Sequence, residues 1–215
     1  WHWNRYPGAR CDIPSLEYSY QFDEDLQQEW NWSEKYSAQP EILEYINHVV
    51  DRFDLKEDIK FEEEVLSANF HEEESTWLLE TSENKYKSTF CIFATGCLSV
   101  PNKPDFGGLE NFRGNLLQTS TWPQEEQRFD GQKVAIIGTG SSAIQSIPII
   151  AEQASELYIF QRTPNYSIPS NNGLMDKEVE KEIKGRYSEF RKENYQNGFG
   201  IAAISDEALI SETDI

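Results

Sequence analysis

The stretch that decides the fold is KVAIIGTGSSAIQ, residues 133–145. Its apolar start predicts a buried strand over Gln132–Ile137, and the glycines that follow open a helix predicted over Ser141–Gln153. A second strand, predicted over Glu156–Gln161, has the spacing that completes a βαβ unit. The sequence therefore predicts an α/β fold in which a glycine-rich turn joins the first strand to the helix.

The spacing of small residues in this turn is typical of dinucleotide-binding proteins. In Gly138-x-Gly140-x-x-Ala143 the first glycine permits the tight turn, and the second lets a pyrophosphate approach the backbone. The alanine lets the helix pack closely on the strand, and the N–H groups at the helix N-terminus bind the phosphates. The alternative is a glycine turn with a purely structural role.

The end of the second predicted strand indicates which dinucleotide is bound. Sites for NAD place Asp or Glu about 20 residues after the glycines, where the carboxylate binds the ribose 2′-hydroxyl. Here that position lies in FQRTPN, residues 160–165, where Gln161 is uncharged and Arg162 offers a two-pronged guanidinium for a phosphate. Thr163 adds a hydroxyl. This pattern predicts NADP, the alternative being an arginine that is only solvated.

Composition excludes several classes of function. A net charge of −19 over 215 residues argues against a nucleic-acid partner, and no apolar run reaches the roughly 18 residues that a membrane span needs. The cysteines (Cys11, Cys91, Cys97) form no CxxC motif, which favours a reducing, cytoplasmic setting. The histidines lack metal-like spacing, so no metal site is predicted, and no G-x-S-x-G motif of a serine hydrolase occurs. The oligomeric state is not decided by the sequence.

The rest of the chain alternates between helical and strand-like patterns. Helices are predicted over Phe22–Trp32, Gln39–Phe53 and Asp176–Tyr195, and strand-like runs over Ile59–Phe70, Thr76–Thr81 and Lys85–Ala94. A stretch rich in proline and glycine, from Pro101 to Gly108, reads as a linker.

Several motifs, in order and spacing, resemble one known family. They are WHWNRYPGARCD (1–12), YSYQF (18–22), EWNWSEKYSAQPEILEYINHVVDRFDL (29–55), ATGCLSVP (94–101), GTGSSAIQ (138–145) and FQRTPNYSIP (160–169). Together they resemble the flavin-dependent Baeyer–Villiger monooxygenases, of the phenylacetone and cyclohexanone monooxygenase type. The resemblance runs from Trp1 to about Pro169 and weakens beyond it.

The resemblance implies an α/β architecture with two nucleotide-binding, Rossmann-like domains, both incomplete in this chain. Residues 1–100 would belong to an FAD-binding domain whose N-terminal strand and GxGxxG motif are expected outside this chain. Residues 101–131 would form a linker, and residues 132–215 an NADP-binding domain truncated at its C-terminal end. The chain is thus expected to be a fragment of a larger protein, and inactive alone.

The resemblance also implies the chemistry and its residues. NADPH would reduce FAD, and O₂ would supply an oxygen atom that is inserted into a small-molecule ketone to give an ester or a lactone. The candidate catalytic residue is Asp12, next to an active-site arginine expected beyond residue 215; the alternative is that its carboxylate caps the loop or pairs with Arg5 or Arg10. The implied FAD residues are Trp1, Trp3, Asp12, Tyr18 and Val65. The implied NADP residues are Arg10, Cys11, Asp12, Gly138, Thr139, Gly140, Ser141, Ser142, Ala143, Gln145, Arg162 and Thr163.

One position departs from the family signature Phe-x-Gly-x-x-x-His-x-x-x-Trp followed by Pro or Asp. Phe112, Gly114, Trp122 and Pro123 are in register with it, but Gln118 occupies the histidine position. Glutamine donates and accepts hydrogen bonds, yet it cannot become a cation or shuttle a proton near neutral pH. This leaves open two alternatives to Baeyer–Villiger oxidation: an N- or S-oxygenating flavin monooxygenase, and a catalytically silent nucleotide-binding fragment.

Overall fold

The structure, a computed structural model, describes residues 1–96, 99–102, 104–198 and 200–201. These residues pack as two units. One unit runs from Val50 to Arg113, and the other combines Trp1–Val49 with the described residues from Gly114 on. The N-terminal segment therefore packs together with the predicted NADP-binding region. The functional division of the chain at residues 100 and 131 stays a prediction.

The Val50–Arg113 unit is built on a three-stranded antiparallel sheet. Its strands are β1 (Val65–His71), β2 (Thr76–Thr81) and β3 (Lys85–Ser88), with β2 in the centre. The predicted bounds of β2 are confirmed, but β1 starts six residues later than the predicted Ile59, and β3 ends before Ala94. A left-handed backbone at Glu62, with φ of 57°, is incompatible with an extended strand before β1.

One residue of the acidic run before β1 organises this sheet. The Glu63 carboxylate accepts hydrogen bonds from Thr81 Oγ1 at 2.5 Å, Asn84 Nδ2 at 2.9 Å and Tyr86 Oη at 2.9 Å. These hydrogen bonds, Thr81 first, hold the pKa of the Glu63 carboxyl below its usual value. The carboxylate thus fixes the turn between β2 and β3, a role that the composition of an acidic run does not reveal.

The other unit contains the predicted βαβ unit. Strands β4 (Lys133–Ile137) and β5 (Glu156–Phe160) pair in parallel, and the connecting helix α3 (Ser141–Gln153) has the predicted bounds. A buried cluster forms beneath α3, where Ile150 packs with Trp122 and Phe129. Parallel strands joined by a helix place the glycine turn at the carboxyl end of β4, the edge at which ligands bind in such sheets.

The prediction that β4 is buried is wrong for the residues that the structure describes. Exposed and half-buried residues alternate along β4. Ile137 at the end of β4 is 66% exposed, and Phe160 at the end of β5 is 58% exposed. The reason is that α3 covers one face of this two-stranded sheet, whereas continuous apolar runs belong to parallel strands covered on both faces.

Two further helices build an aromatic core in the same unit. Helix α1 (Glu24–Glu29) begins at Asp23, whose carboxylate accepts a hydrogen bond from Leu26 N, and α2 spans Gln39–Arg52. Both helices are shorter than predicted, because the flanking residues adopt extended or turn conformations. Trp32, 1% exposed, packs against Tyr45 of α2 with ring centroids 4.9 Å apart.

The predicted helix over Asp176–Tyr195 is two helices instead of one. Helix α4 (Lys177–Gly185) and helix α5 (Tyr187–Gln196) are separated at Arg186, which has φ of −132° and ψ of 28°. The break follows Gly185, whose backbone freedom makes a helix end there inexpensive. Within the described part of the chain, no helix combines the length and apolar character needed to cross a membrane.

Candidate functional site

The glycine turn after β4 has the geometry of a phosphate-binding loop. We call residues Gly138–Gly140 the dinucleotide loop. Gly138 has φ of 102°, a conformation that favours glycine, and its N–H donates to the Phe160 carbonyl at 2.8 Å. Gly140 forms the N-cap of α3, and a Cβ there would meet open space. The first N–H groups of a helix have no partner within it, so the first turn of α3 can donate hydrogen bonds to a phosphate.

The chain after β5 buttresses the dinucleotide loop. Gln161 Nε2 donates to Thr139 Oγ1 at 2.8 Å, and Asn165 Nδ2 donates to the Thr139 carbonyl at 2.9 Å. Arg162 and Thr163 lie between these two contacts and are exposed. Among the described residues, Arg162 makes no ion pair or hydrogen bond. An uncommitted guanidinium thus stands beside the loop, as recognition of a ribose 2′-phosphate requires.

The N-terminal motif packs directly on α3. We call Tyr6–Asp12 the YPGARCD loop. Gly8 has φ of 77°, and a Cβ on it would overlap the Gln145 carbonyl oxygen. The Gln145 side chain then reaches back into the YPGARCD loop, where it bonds the backbone of Arg10 and the side chains of Tyr6 and Asp12. The motif glycine is therefore needed twice, for its conformation and for the close approach of the loop to the helix.

Asp12 has a partner that sequence reasoning did not find. Its Oδ1 accepts a hydrogen bond from Gln145 Nε2 at 2.8 Å, and the residue is exposed. The alternative in which Asp12 pairs with Arg5 or Arg10 is wrong, because Arg5 Nε donates to the His2 carbonyl at 2.9 Å and Arg10 bonds Glu34. The Asp12 carboxylate therefore has no cationic partner among the described residues.

Arg10 is held inside a polar cluster. Its Nη1 donates to Glu34 Oε2 at 2.8 Å and to the Tyr36 carbonyl at 3.1 Å, and Asn172 Nδ2 donates to the same Glu34 oxygen at 2.6 Å. Partial burial opposes ionisation of Glu34, but the hydrogen bonds from Arg10 and Asn172 prevail and lower the pKa of its carboxyl. The Arg10 guanidinium is thus committed within the protein.

Cys11 also faces inward. It is 6% exposed, and burial raises the pKa of its thiol above the usual value. Its backbone N–H donates to the Ser37 carbonyl at 3.1 Å, and the neighbouring Ala9 carbonyl accepts from Gln39 N at 2.8 Å. A buried neutral thiol packs as a small apolar group, so Cys11 supports the YPGARCD loop from beneath.

Two of the residues implied for FAD, Trp1 and Tyr18, contact each other within one unit. Trp1 Nε1 donates to Tyr18 Oη at 3.1 Å, with their rings edge to face at 6.1 Å, and Trp3 is 65% exposed. Burial raises the pKa of the Tyr18 hydroxyl, with a smaller opposing effect from the Trp1 hydrogen bond. Val65, also implied for FAD, begins β1 in the Val50–Arg113 unit and is 56% exposed.

Sequence reasoning missed an arginine that fixes the loop around Tyr18. Arg191 of α5 donates to the carbonyls of Leu16 at 2.9 Å, Glu17 at 3.1 Å and Ser19 at 3.3 Å. Its Nε also donates to Gln27 Oε1 at 3.3 Å. These carbonyl partners lie more than a hundred residues away along the chain, which no local pattern reveals.

The fingerprint residues are divided between the two units. Phe112 lies in the Val50–Arg113 unit and is 60% exposed, whereas Gly114 begins the part that packs with the βαβ unit. Gln118 is half-buried, and its carbonyl accepts from Thr121 N at 3.1 Å at the start of a 3-10 turn. Trp122 lies in the core beneath α3, 9% exposed, and Pro123 follows it half-buried. The tryptophan thus anchors this segment to the βαβ unit.

No metal centre is found in the part of the chain that the structure describes. None of its His, Cys, Asp and Glu side chains form a group of three with the arrangement of a metal site. Cys11 and Cys91 are free thiols, and Cys97 lies outside the described residues.

Comparison with known proteins identifies relatives over most of this chain. The model of the pyridine nucleotide-disulphide oxidoreductase family matches residues 15–208. Acetone monooxygenase (methyl acetate-forming) from Gordonia sp. (strain TY-5) is 41% identical over 192 residues, which are 89% of this chain and 36% of the relative. Phenazine N-monooxygenase PhzNO1 from Lysobacter antibioticus is 33% identical over 213 residues, 95% of this chain and 39% of the relative.

A solved structure matches the whole fold. The oxidized steroid monooxygenase bound to NADP has a TM-score of 0.89 and 48% identity, and the match covers 100% of this chain and 42% of that protein. The predicted α/β fold class is therefore confirmed. The chain spans little more than a third of the length of the curated relatives that it matches.

Proposed function

This chain belongs to the pyridine nucleotide-disulphide oxidoreductase family, and we propose that it forms part of a flavoprotein monooxygenase of Baeyer–Villiger type. The complete protein, meaning the polypeptide of the relatives' length that carries this chain, uses NADPH and O₂ to insert an oxygen atom into a ketone. The product is an ester or a lactone. The acetone monooxygenase relative, which forms methyl acetate, supports a ketone substrate.

The use of NADPH is supported mainly by the exposed Arg162 beside the dinucleotide loop. A pyrophosphate binds at the first turn of α3 through backbone N–H groups and the positive end of the helix dipole. The 2′-phosphate binds to the guanidinium of Arg162 and the hydroxyl of Thr163. Gln161, which holds Thr139, adds no negative charge that would repel this phosphate.

The residues of the N-terminal segment fit a flavin. Trp1, Trp3 and Tyr18 offer exposed or partly exposed aromatic surface, and rings of this kind pack against a planar cofactor. Bound FAD would carry electrons from NADPH to O₂. Asp12 faces solvent as a carboxylate without a cation beside it, so it can orient an arginine contributed by another part of the complete protein.

One specific observation favours a second candidate function. The phenazine N-monooxygenase matches 95% of this chain, which supports N-oxygenation by the same two nucleotide sites. Gln118 in place of the family histidine keeps a third possibility, a catalytically silent nucleotide-binding protein. The free, buried thiol of Cys11 supports a reducing, cytoplasmic setting, which is part of the proposal.

The test uses the purified complete protein. We expect bound FAD, and NADPH oxidation that accelerates when a cyclic or linear ketone is added, with one ester or lactone formed for each NADPH consumed. If an aromatic N-heterocycle or a sulfide accelerates NADPH oxidation and no ketone does, the second candidate is favoured. FAD binding without acceleration by any of these compounds would overturn the proposal in favour of a silent protein.

A further inference from the structure

Gln145 uses the whole hydrogen-bonding capacity of its side chain within the protein. Its Oε1 accepts from Tyr6 Oη at 3.0 Å and from Arg10 N at 3.3 Å. Its Nε2 donates to the Arg10 carbonyl at 3.1 Å and to Asp12 Oδ1 at 2.8 Å. An amide has two donor hydrogens and two acceptor lone pairs, so none is left for a nucleotide.

The same contacts fix the YPGARCD loop in position and orientation. Two of them bracket the backbone of Arg10, one from its N–H and one from its carbonyl, as a neighbouring strand would. The third holds the Tyr6 hydroxyl, and the fourth holds the Asp12 carboxylate. Since Gln145 lies on the second turn of α3, the loop is tied to the helix whose first turn follows Gly140.

Gly8 makes this arrangement possible. The loop backbone approaches α3 so closely that any Cβ on Gly8 would overlap the Gln145 carbonyl oxygen and contact Ile149 Cγ1 at 3.4 Å. At this separation a glutamine spans the gap to Arg10 and Asp12. A shorter amide at the same position would not reach both sides of the Arg10 backbone.

We propose that Gln145 is a positioning residue, which aligns the Asp12 carboxylate and the YPGARCD loop with the dinucleotide-binding end of α3, and that it is not a ligand of NADP. This revises the role that the family resemblance implies for Gln145. The catalytic consequence rests on the proposed function, because Asp12 then acts beside the bound cofactors. The positioning of the YPGARCD loop by Gln145, which is the structural part of the proposal, does not depend on that function.

The structural part is tested by hydrogen exchange of the peptide covering residues 6–12 in the complete protein. Gln145→Glu has the same shape and keeps both acceptor positions, but it loses both donors and places a carboxylate against Asp12. We expect exchange of this peptide to rise roughly tenfold, as loss of the two hydrogen bonds that Gln145 Nε2 donates implies. The matched control is Gln153→Ala on the same helix, whose side chain accepts from Phe129 N at 3.1 Å and does not touch the YPGARCD loop.

Gln145→Asn provides a second, milder variant if the glutamate protein fails to fold. It retains both kinds of hydrogen-bonding group on a shorter side chain, and we expect an increase in exchange between those of the wild type and Gln145→Glu. Unchanged exchange of residues 6–12 in a folded variant would overturn the proposal.

Cofactor binding separates positioning from direct contact. We expect Gln145→Glu to leave the Kd for NADP⁺ within about threefold of the wild type, since the effect of an amide that does not touch the nucleotide is small. With an active complete protein, kcat falls while the KM for NADPH changes little. A tenfold or larger rise in Kd with unchanged exchange would show that Gln145 is a nucleotide ligand. If the protein proves inactive, the exchange and Kd results still decide the positioning role.

Discussion

Two segments outside the dinucleotide loop and helix α3 supply residues implied for NADP, and the side chains of the two segments differ sharply in how much they contact the rest of the protein. The YPGARCD loop is closed: Ala9 is 4% exposed, Cys11 is 6% exposed, and Arg10 and Asp12 each bond another side chain of the protein. The segment that follows β5, residues 161–170, is exposed throughout, and Tyr166 is 97% exposed.

The difference shows which side chains remain available to a ligand. Hydrogen-bonding groups that are already paired would have to exchange partners to bind a cofactor, whereas Arg162 would only have to lose water. We therefore propose that the closed loop contributes geometry to the site, and that the open segment contributes affinity and selectivity for the dinucleotide. Substitutions in these two segments, and at other side chains held inside the protein, test the comparison.

The largest effect is expected where the closed loop approaches the helix. Gly8→Ala adds a methyl group that overlaps the Gln145 carbonyl oxygen, at a φ of 77° that disfavours an L side chain. We expect a loss of about 2–5 kcal/mol in the free energy of unfolding, from overpacking together with left-handed strain. Thermal unfolding of the complete protein measures it.

Gly131→Ala is the matched control for this substitution. Gly131 has a similar φ of 69°, but no atom lies within 4 Å of a Cβ built on it. Gly131→Ala should therefore lose only the free energy of unfolding that left-handed strain costs, about 1–2 kcal/mol. Equal losses in the two variants would contradict the claim that the loop backbone touches α3.

A second closed region is held by Arg191. Arg191→Met keeps much of the apolar stem but removes the donors to the carbonyls of Leu16, Glu17 and Ser19. We expect a loss of about 2–3 kcal/mol, because charged hydrogen bonds to partly buried carbonyls disappear together. Arg186→Met, which removes exposed ion pairs to Glu193 and Glu182, should cost less than about 1 kcal/mol. Denaturant unfolding that ranks the two arginines in the opposite order would refute this account of the Tyr18 loop.

Gln118 tests a half-buried position outside both segments. We expect Gln118→His to leave FAD content unchanged and to raise the rate of ketone-dependent NADPH oxidation by about five- to thirtyfold, since a charged hydrogen bond is stronger than a neutral one. An unchanged rate would mean that the amide is an adequate substitute. A slower rate would mean that the surrounding residues have adapted to glutamine.

The smallest effect concerns the charge that holds Arg10. The pKa of Glu34 is lowered in the folded protein, so its stabilising contribution is complete above the ordinary carboxyl pKa and is lost as the pH falls through the lowered value. Glu34→Gln should thus reduce neutral-pH stability by less than about 1 kcal/mol and flatten the decline of Tm between pH 6 and pH 3, about the range in which carboxyls titrate. A parallel decline of Tm in both proteins would exclude this contribution.

Much of the βαβ unit could be predicted from sequence, because its signals are local. The apolar run, the glycine spacing and the helix after it gave α3 its observed bounds. Local signals failed at Arg186, where the predicted helix is interrupted between α4 and α5. The contacts of Arg191 could not be predicted either, because its partners are distant along the chain.

The candidate site was predictable in its residue types but not in their roles. Arg162 and Asp12 were both singled out, yet only the fold reveals that Arg162 has no partner among the described residues, whereas Asp12 is held by Gln145. The family pattern treats both loops as cofactor contacts, since spacing along the chain contains no information about which hydrogen bonds are already made inside the protein. Gly8 is an example: glycine is required there because the loop backbone approaches helix α3, which is more than 130 residues away along the chain.

The central claim is that the open segment selects NADP through Arg162, and direct binding measurements test it most closely. Titration of the complete protein with NADP⁺ and NAD⁺ should show that Arg162→Ala weakens NADP⁺ binding about tenfold to a hundredfold and leaves NAD⁺ nearly unchanged, as loss of a charged phosphate contact implies. Arg128→Ala, which removes an exposed ion pair with Glu126, controls for the loss of one positive charge and should change neither affinity by more than about twofold. Equal weakening of both dinucleotides by Arg162→Ala would contradict the account and make this arginine a structural residue.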